Sequence, residues 1–222
     1  TNSATVQNFI DLDKKGVRIL DSKEGELASG LQGKGRMQEP EDLFKEIQNF
    51  FEPKGILKGK NVLVTAGPTQ ENIDPVRYIG NRSTGKMGIA LAQAYSDKGA
   101  NVTLILGPTS EAVTEESIDL IRVSTAEQMF VAAKLKYPNS DLTVFAAAVS
   151  DYRPKQVFDQ KLKKSDEELE LVLVKNRDIA KELGHEKSSN QINIGFALET
   201  NNELENAKSK IVSKNFDAIV LN

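Results

Sequence analysis

The amino-acid sequence predicts an α/β fold: a Rossmann-like, doubly wound and mostly parallel sheet flanked by helices, with a short N-terminal appendage. Two observations carry this prediction. From Lys60 onward, short apolar runs alternate with helical patterns, which is the order that builds a parallel sheet. Before that point the character differs, and four glycines fall within residues 25–35. We therefore predict an appendage at 1–59 and a main domain at 60–222.

The appendage is predicted to hold a helix, a strand, a loop and a second helix. Apolar residues over 6–12 have the spacing of a short amphipathic helix, and residues 17–20 form an apolar run typical of a strand. Residues 24–37 are predicted to be a loop, because glycine is costly within a regular element. Pro40 and the acidic residues after it mark the start of a helix, which residues 53–55 end.

The main domain is predicted to alternate strands with helices. Thr125 and Gln128 form a capping box that marks one helix start. The alternating run at 168–174 predicts a strand with one solvated face. The remaining strands are predicted from buried apolar runs at 61–66, 101–106, 142–148, 192–197 and 218–221. Further helices are predicted after residues 83–88 and over 202–213.

Composition excludes several classes of site and partner. The 222 residues include 29 basic and 32 acidic ones, a net charge of −3, which argues against a general nucleic-acid surface. There is no cysteine and one histidine, His185, so disulfides, thiolate chemistry and multi-histidine metal sites are excluded. No apolar run reaches the roughly 18 residues of a membrane helix. Residue 1 is not methionine and no signal-peptide pattern follows it, so we expect a fragment or processed piece of a cytoplasmic protein.

Three segments are predicted to share one crevice. Ligands of an open parallel sheet bind beyond the carboxyl ends of its strands. Residues 67–88, the stretch from Gly107, and residues 149–164 leave those ends.

The segment 67–88 has the character of an anion site. Small residues at a helix start expose backbone N–H groups, and the helix dipole favours an anion there. Ser83, Thr84 and Lys86 add donors. The segment matches neither the G-x-G-x-x-G fingerprint nor a Walker A loop. Judged as a glycine-rich turn alone, it fits a helix cap on a βα loop equally well.

The segment 149–164 and the alanines before it suit a nucleotide. Alanine at 146–148 allows a flat base or an acyl chain to approach the backbone. Lysines at 161, 163 and 164 would neutralise a polyphosphate, although a solvated turn is the simpler explanation of such a cluster. Asp151 is either a metal ligand or a turn residue.

Taken together, these strings resemble the synthetase domain of the phosphopantothenoylcysteine decarboxylase/synthetase family. The similar strings run in family order at 66–69, 74–79, 81–88, 146–153, 161–164, 174–176 and 195–200. Residues 1–59 resemble the tail of the decarboxylase half, and the glycine-rich loop resembles its substrate flap. Ser29 stands where such flaps commonly carry an acid cysteine, and the flavin-binding body is absent. The resemblance therefore implies neither an FMN site nor decarboxylation in this chain.

The resemblance implies a cytoplasmic, bacterial phosphopantothenate–cysteine ligase of coenzyme A biosynthesis. Such an enzyme uses CTP, or ATP in some relatives, to convert 4′-phosphopantothenate to an acyl-nucleotide, and pyrophosphate leaves. The amine of cysteine then attacks, giving the amide and a nucleoside monophosphate. Mg²⁺ is the expected metal and a homodimer the expected assembly. The attached decarboxylase tail favours CTP, but the sequence leaves the choice of nucleotide open.

The resemblance also assigns roles to residues. Asn81 holds the acyl-nucleotide intermediate, and Lys161 assists the chemistry. Arg77 contacts the substrate, and Asp151 is the candidate metal ligand. The residues expected to bind the nucleotide are Gly67, Ser83, Gly85, Lys86, Met87, Gly88, Ala146, Ala147, Lys163, Lys164, Phe196 and Ala197. Two departures are a glycine at 80, where many relatives have a small polar residue, and the end at residue 222, from which we expect a C-terminally incomplete ligase domain.

Two other classes of function compete with the ligase. A dinucleotide-dependent oxidoreductase would need a G-x-G-x-x-G after the first strand and an acidic residue ending the second, where Leu106-Gly107-Pro108 stands. A non-catalytic binding module is favoured by Ser29 and by the early end. His185 is expected to be exposed at a helix end and residues 166–168 to form a turn tip, neither with a function.

Overall fold

A computed structural model describes residues 2–26, 32–51, 55–114, 116–163, 169–197 and 202–221. They belong to two compact units, Thr1–Pro53 and Lys54–Asn222, and each unit is described by itself. The boundary after residue 59 stays a proposal. No helix in the ranges just given has the length and apolar character to cross a bilayer.

The described residues of the first unit form two helices and a two-stranded ribbon. Its elements are α1 Ser3–Lys14, β1 Lys23–Glu26, β2 Gln32–Arg36 and α2 Pro40–Phe51. The side chain of Asn2 caps α1 by accepting the Ala4 N–H (2.9 Å). Both predicted helices are confirmed.

Two predictions for this unit were wrong. Residues 17–20 are not a strand, because the chain is still closing the end of α1 there, and the Val17 N–H donates to the Leu12 carbonyl (3.1 Å). The glycine-rich loop contains the antiparallel ribbon, in which Gly25 pairs with Gly33. Backbone pairing, together with the Arg36 side chain lying over Gly25, offsets the conformational cost on which the loop prediction rested.

The second unit alternates strands and helices. Its strands are β3 Asn61–Ala66, β4 Gln70–Asn72, β5 Tyr78–Gly80, β6 Asn101–Leu106, β7 Asp119–Arg122, β8 Leu142–Phe145, β9 Tyr152–Pro154, β10 Leu173–Lys175, β11 Ile192–Ala197 and β12 Ala218–Leu221. Its helices are α3 Lys86–Asp97, α4 Ala126–Lys136, α5 Ile179–His185 and α6 Glu203–Ser213, with a 3-10 turn at Tyr137–Asn139.

Six of these strands form one sheet, in which every neighbouring pair is parallel and the order is β7-β6-β3-β8-β11-β12. Numbered along the chain this order is 3-2-1-4-5-6, the order of Rossmann folds. The predicted fold class is confirmed. The capping box at Thr125 is also present, with both of its reciprocal hydrogen bonds.

Two short antiparallel pairs lie outside the sheet and were not predicted. They are β4 with β5, and β9 with β10. The strand predicted at 168–174 was too long, because among the described residues 169–175 only Leu173–Lys175 is regular, and it pairs with Tyr152–Pro154. Residue 168 lies outside the described ranges. The short strand β7 was missed, since its four residues begin and end with a charge.

Apolar side chains alternate between the two faces of the sheet. Ala92 of α3 packs with Val62, Val64 and Ala66 on one face. On the other face, Leu63 and Phe145 pack against helices α4 and α5. Helix α3 approaches β3 closely, since a Cβ on Gly88 would lie 2.3 Å from that of Ala66.

Candidate active site

The segments that leave β3 and β6 touch through their backbones. Gly67 has a φ of +77°, and a Cβ there would meet the Gly107 backbone at 3.2 Å. A Cβ on Gly107 would lie 1.8 Å from the Pro68 carbonyl oxygen. The Thr109 hydroxyl also donates to the Thr84 carbonyl (2.6 Å). The close backbone approaches leave no room for a side chain between the two segments, and the hydrogen bond from Thr109 to Thr84 joins them.

The segments that leave β3 and β8 are also joined. The Ala148 N–H donates to the Gly67 carbonyl (2.9 Å), beyond the last residues of the regular strands. Thr69 is fully buried, and its hydroxyl accepts the Ser150 N–H (3.0 Å). The three segments therefore contact one another where the strand order reverses, the usual ligand position in such sheets. That they share one crevice stays a prediction, because the cleft described below is lined by residues of only one of them.

Asn81 is attached to the end of β8. Its side-chain amide donates to the carbonyls of Val149 (2.9 Å) and Ala148 (3.4 Å). The residue nevertheless stays exposed. Its position is therefore fixed by backbone contacts while the rest of the side chain faces solvent.

A cleft of about 180 Å³ opens beside β8 and β11, on the face that carries α5 and α6. Of the predicted residues, Ala147, Asp151 and Phe196 line it, whereas Ala146 and Ala197 do not. Ala146 packs instead with the core on the α3 face. Asn81 lies next to this cleft, because its amide donates to the carbonyl of Val149, a residue of the cleft wall.

Polar residues that we did not predict complete the wall of the cleft. The Asn176 amide donates to the Ser150 carbonyl (2.8 Å), which ties β10 to the end of β8. Asp178 caps α5 through the Lys181 N–H (3.1 Å) and pairs with Lys214 (2.9 Å). The similar string at 174–176 pointed toward Asn176. Nothing local marks Asp178, or the two lysines that line the cleft, Lys210 in α6 and Lys214 directly after it.

The predicted phosphate cradle lies at the start of α3, on the opposite face from the cleft. Gly85 has a φ of +78° and caps the helix, and its N–H and that of Lys86 are close to the hydroxyls of Ser83 (3.3 Å) and Thr84 (3.4 Å). Lys86 and Met87 are exposed, and the Lys86 ammonium lies 3.6 Å from Glu111. The helix-cap interpretation thus matches this geometry, and a phosphate here would replace the two hydroxyls. Gly88 is buried against β3, where a larger side chain would not fit, so it lets α3 pack closely on the strand.

The lysine segment is fixed at Leu162. Lys161 and Lys163 are exposed and Leu162 between them is half-buried. The Leu162 N–H donates to Asp74 Oδ2 (3.1 Å), and its carbonyl accepts from Arg77 Nη2 (2.9 Å). Arg77 Nε also donates to Asp74 (2.9 Å). The predicted contact of Arg77 with substrate stays a prediction, and Lys164 lies outside the described residues.

Asp74 is the buried carboxylate of this arrangement, with 2% of its surface exposed. Its Oδ1 accepts the N–H groups of Val76 and Arg77, both at 2.8 Å. Burial by itself raises the pKa of this carboxyl. The hydrogen bonds from the Arg77 side chain and from the backbone of Val76, Leu162 and Arg77 outweigh burial and hold the pKa well below its usual range. Asp74 is therefore a charged acceptor at neutral pH.

Asp151 is exposed at the mouth of the cleft. Within the described ranges, no group of three His, Asp or Glu side chains assembles as a metal site. A divalent ion bound by Asp151 would therefore depend on ligand oxygens from elsewhere. Mg²⁺ shared between one carboxylate and substrate phosphates fits that condition.

Residues 57–222 match the model of the family described as the DNA/pantothenate metabolism flavoprotein C-terminal domain. The chain belongs to this family.

Two proteins are similar to this chain along nearly its whole length. The coenzyme A biosynthesis bifunctional protein CoaBC of Haemophilus influenzae is 44% identical over 220 residues, 99% of this chain and 55% of its own length. A protein of an unknown prokaryotic organism, named cysteine/cysteine sulfinic acid decarboxylase, is 46% identical over 99% of this chain and 62% of its own length. The chain therefore spans little more than half of these relatives.

A solved structure has a fold similar to that of this chain. The crystal structure of the C-terminal domain of a coenzyme A biosynthesis bifunctional protein CoaBC superposes with a TM-score of 0.67 at 41% identity. The match covers 75% of this chain and 79% of that one.

Proposed function

We propose that this chain is the phosphopantothenate–cysteine ligase domain of a coenzyme A biosynthesis enzyme. The observation that carries the proposal is the likeness to the Haemophilus protein of coenzyme A biosynthesis along 99% of the chain. The geometry supports it, because a cleft opens at the carboxyl ends of β3, β8 and β11, next to the point where the strand order reverses. The oxidoreductase alternative shares this sheet order but has no similar protein among the relatives described above.

The proposed reaction has two steps. A carboxylate oxygen of 4′-phosphopantothenate attacks the α-phosphorus of CTP, the bond to the bridging oxygen breaks, and pyrophosphate leaves. The amine of cysteine then attacks the acyl carbon of the acyl-cytidylate. The bond from that carbon to the phosphate oxygen breaks, so CMP leaves, and the amine loses a proton as the amide forms. Activation is needed because a carboxylate is a poor electrophile.

Residues near the cleft are proposed to serve these steps. Ala147 and Phe196 would pack against the nucleotide base. Asn81 would hold the acyl-nucleotide, and Lys161 would stabilise charge growing on phosphate oxygens in the first step. Mg²⁺, held by Asp151 and phosphate, would neutralise charge on the leaving pyrophosphate. The triphosphate would cross the carboxyl end of β3, so that the start of α3, on the other face of the sheet, and Lys163 would bind the outer phosphates.

The test omits cysteine. The protein is mixed with 4′-phosphopantothenate, CTP and Mg²⁺, and pyrophosphate and acyl-cytidylate are measured by mass spectrometry. Lys161→Gln is expected to lower pyrophosphate release by 10²-fold or more, and Asn81→Asp to alter the yield of the intermediate. Lys58→Gln, a lysine exposed beside the start of β3 at the opposite end of the sheet, is the matched control and should behave as wild type. No pyrophosphate with either CTP or ATP would contradict the proposal.

The nucleotide, the assembly and the location belong to the same proposal. We propose CTP rather than ATP, a homodimer, and a cytoplasmic protein. Parallel reactions with CTP and ATP at equal concentration test the first, and sedimentation tests the second. A membrane-free cell fraction that contains the protein tests the third.

Because one relative is named a decarboxylase, decarboxylation is the second activity to be tested. We propose that the described sequence supplies neither an FMN site nor that activity, since Ser29 stands where the resemblance leads us to expect an acid cysteine. Carbon dioxide release from cysteine sulfinate or from phosphopantothenoylcysteine, with added FMN, would contradict this.

A further inference from the structure

The β4–β5 hairpin is anchored to the body of the unit at its base. The Gln70 N–H donates to the Ser124 carbonyl (2.8 Å). Glu71, with 4% of its surface exposed, accepts the Ala126 N–H at the start of α4 (2.9 Å). A buried side chain bonded to a helix start holds the hairpin rigidly, because neither group has water as an alternative partner.

The tip of the hairpin is a closed turn that reaches the lysine segment. The Ile73 N–H donates to the Arg77 carbonyl (2.8 Å), and Asp74 binds two backbone N–H groups inside the turn. From the tip, the Ile73 carbonyl accepts the Phe158 N–H (2.9 Å). The pair of Asp74 and Arg77 then binds both the N–H and the carbonyl of Leu162.

The same hairpin also ends at Asn81. Strand β5 stops at Gly80, and the next residue donates to the carbonyls at the end of β8. One rigid element thus contacts the segment that carries Lys161 at its tip and leads into Asn81 at its end. The two residues proposed to act in the reaction are held in a common frame.

We propose that Asp74 is a positioning residue, which with Arg77 fixes the main chain at Leu162 so that Lys161 faces the reacting phosphate. This inference rests on the proposed ligase function. Lys161 is exposed and has a long flexible side chain, so only its backbone can set where the ammonium acts. The buried charge on Asp74 suits this role, because it orients the Arg77 guanidinium and accepts the Leu162 N–H on the same oxygen.

The first measurement is hydrogen–deuterium exchange of the amide of Leu162, which does not depend on activity. Asp74→Asn keeps the shape of the side chain and removes its charge, and we expect exchange at Leu162 to rise at least tenfold while peptides of β3 exchange as before. The matched control is Asp141→Asn. The Asp141 carboxylate likewise accepts from one cationic side chain, that of Lys60 (3.0 Å), and from one backbone N–H, that of Asn61 (2.8 Å). It lies at the other end of the sheet. Unchanged exchange at Leu162 in Asp74→Asn overturns the inference.

The second measurement is a double-variant comparison of pyrophosphate release. Asp74→Asn is expected to lower the Tm, because a buried charged acceptor is lost, so the rate is measured at a temperature at which circular dichroism shows the variant fully folded. There the rate at saturating CTP should fall by about tenfold or more. In the Lys161→Gln background the same substitution should have no further effect, since Asp74 acts through Lys161. Losses that multiply would show that Asp74 acts independently and overturn the inference. If the wild-type protein releases no pyrophosphate, the ligase proposal and the positioning role of Asp74 in it both fail. Exchange at Leu162 still decides whether Asp74 and Arg77 fix the main chain there.

Discussion

Thr69 joins two strand ends with a single hydroxyl. Thr69 is fully buried, and its hydroxyl accepts the Ser150 N–H (3.0 Å). Its backbone carbonyl accepts the Ser150 hydroxyl (3.4 Å). An apolar side chain of the same shape would leave a buried N–H group without its acceptor, and the cost of such a group exceeds the net value of an ordinary hydrogen bond.

We expect Thr69→Val to lower the free energy of unfolding by about 1–3 kcal/mol, because the Ser150 N–H loses its partner. Urea unfolding measures this. Thr103→Val is the control, since the Thr103 hydroxyl donates only to Asp119 on the surface (3.3 Å), and its effect should stay within about 0.5 kcal/mol. Equal effects of the two substitutions would argue against a special role of the Thr69 hydroxyl.

The carboxylate of Asp217 makes the free energy of unfolding depend on pH in the acid range. Burial raises the pKa of its carboxyl, but the Lys187 ammonium and the Asn193 N–H, both at 2.6 Å, outweigh burial and hold the pKa below its ordinary value of 3.8. The stabilisation is therefore complete above that value and is lost as pH falls below it.

For Asp217→Asn we expect a loss of about 0.5–1 kcal/mol at neutral pH, a modest figure because the side chain is 42% exposed. The difference from wild type should shrink once pH falls below the ordinary value of 3.8, as the wild-type carboxylate takes up its proton. Urea unfolding across this range, with Asp97→Asn at the exposed end of α3 as control, measures both. A difference that persists in acid would contradict the assignment.

At the scale of elements, helix α3 is placed by a contact that helix propensity opposes. Alanine is a better helix former than glycine by about 1 kcal/mol. At Gly88, however, the added Cβ would lie 2.3 Å from that of Ala66 in β3. The helix start would have to move away from the strand, and with it the residues of the predicted phosphate cradle.

Gly88→Ala is therefore expected to destabilise the protein by about 1–3 kcal/mol, the usual cost of overpacking. The double variant Gly88→Ala with Ala66→Gly moves the methyl group from the strand to the helix and should recover part of the loss. Thermal unfolding of the three proteins measures this. A single variant more stable than wild type would show that propensity outweighs the contact.

Elements fixed by local signals could be predicted, and those fixed by distant partners could not. The capping box at Thr125 and the apolar strands of the sheet are encoded within a few residues, and both were found. Strand β10 exists because it pairs with β9, so a period-two pattern misplaced it at 168–174. The glycine-rich ribbon was missed for the same reason.

For the candidate site, the location could be predicted from the sequence but the side-chain contacts could not. Its location follows from the parallel order of strands, which sequence alternation predicts. The partners of individual side chains do not, because Arg77 bonds to a carbonyl that lies 85 positions away in the chain. No local pattern distinguishes an arginine that holds the backbone from one that meets a substrate.

At the scale of the whole molecule, the two units differ in how much core they possess. Every residue of the two buried clusters belongs to the unit Lys54–Asn222. Helices α1 and α2 of the other unit contain no buried residue among those described. Burial of apolar surface is the main source of stability, so it should reside almost wholly in the second unit.

Removal of residues 1–53 is accordingly expected to change the Tm of the main transition by less than about 4 °C, the shift that roughly 1 kcal/mol gives in a domain of this size. Circular dichroism of the shortened chain measures it, and the same sample should bind CTP as the full chain does. A chain that fails to fold without residues 1–53 would contradict this and would move the domain boundary.

The backbone contacts among Gly67, Gly85 and Gly107 have a consequence for descent. A Cβ on any of the three would press on another segment of backbone, at 3.3 Å or less. Because the neighbours are backbone, no compensating substitution elsewhere in the trio makes room for a side chain. Substitutions at these positions are therefore expected to be selected against in descendants that keep this strand junction, most strongly at Gly107, where the added Cβ would lie 1.8 Å from the Pro68 carbonyl oxygen.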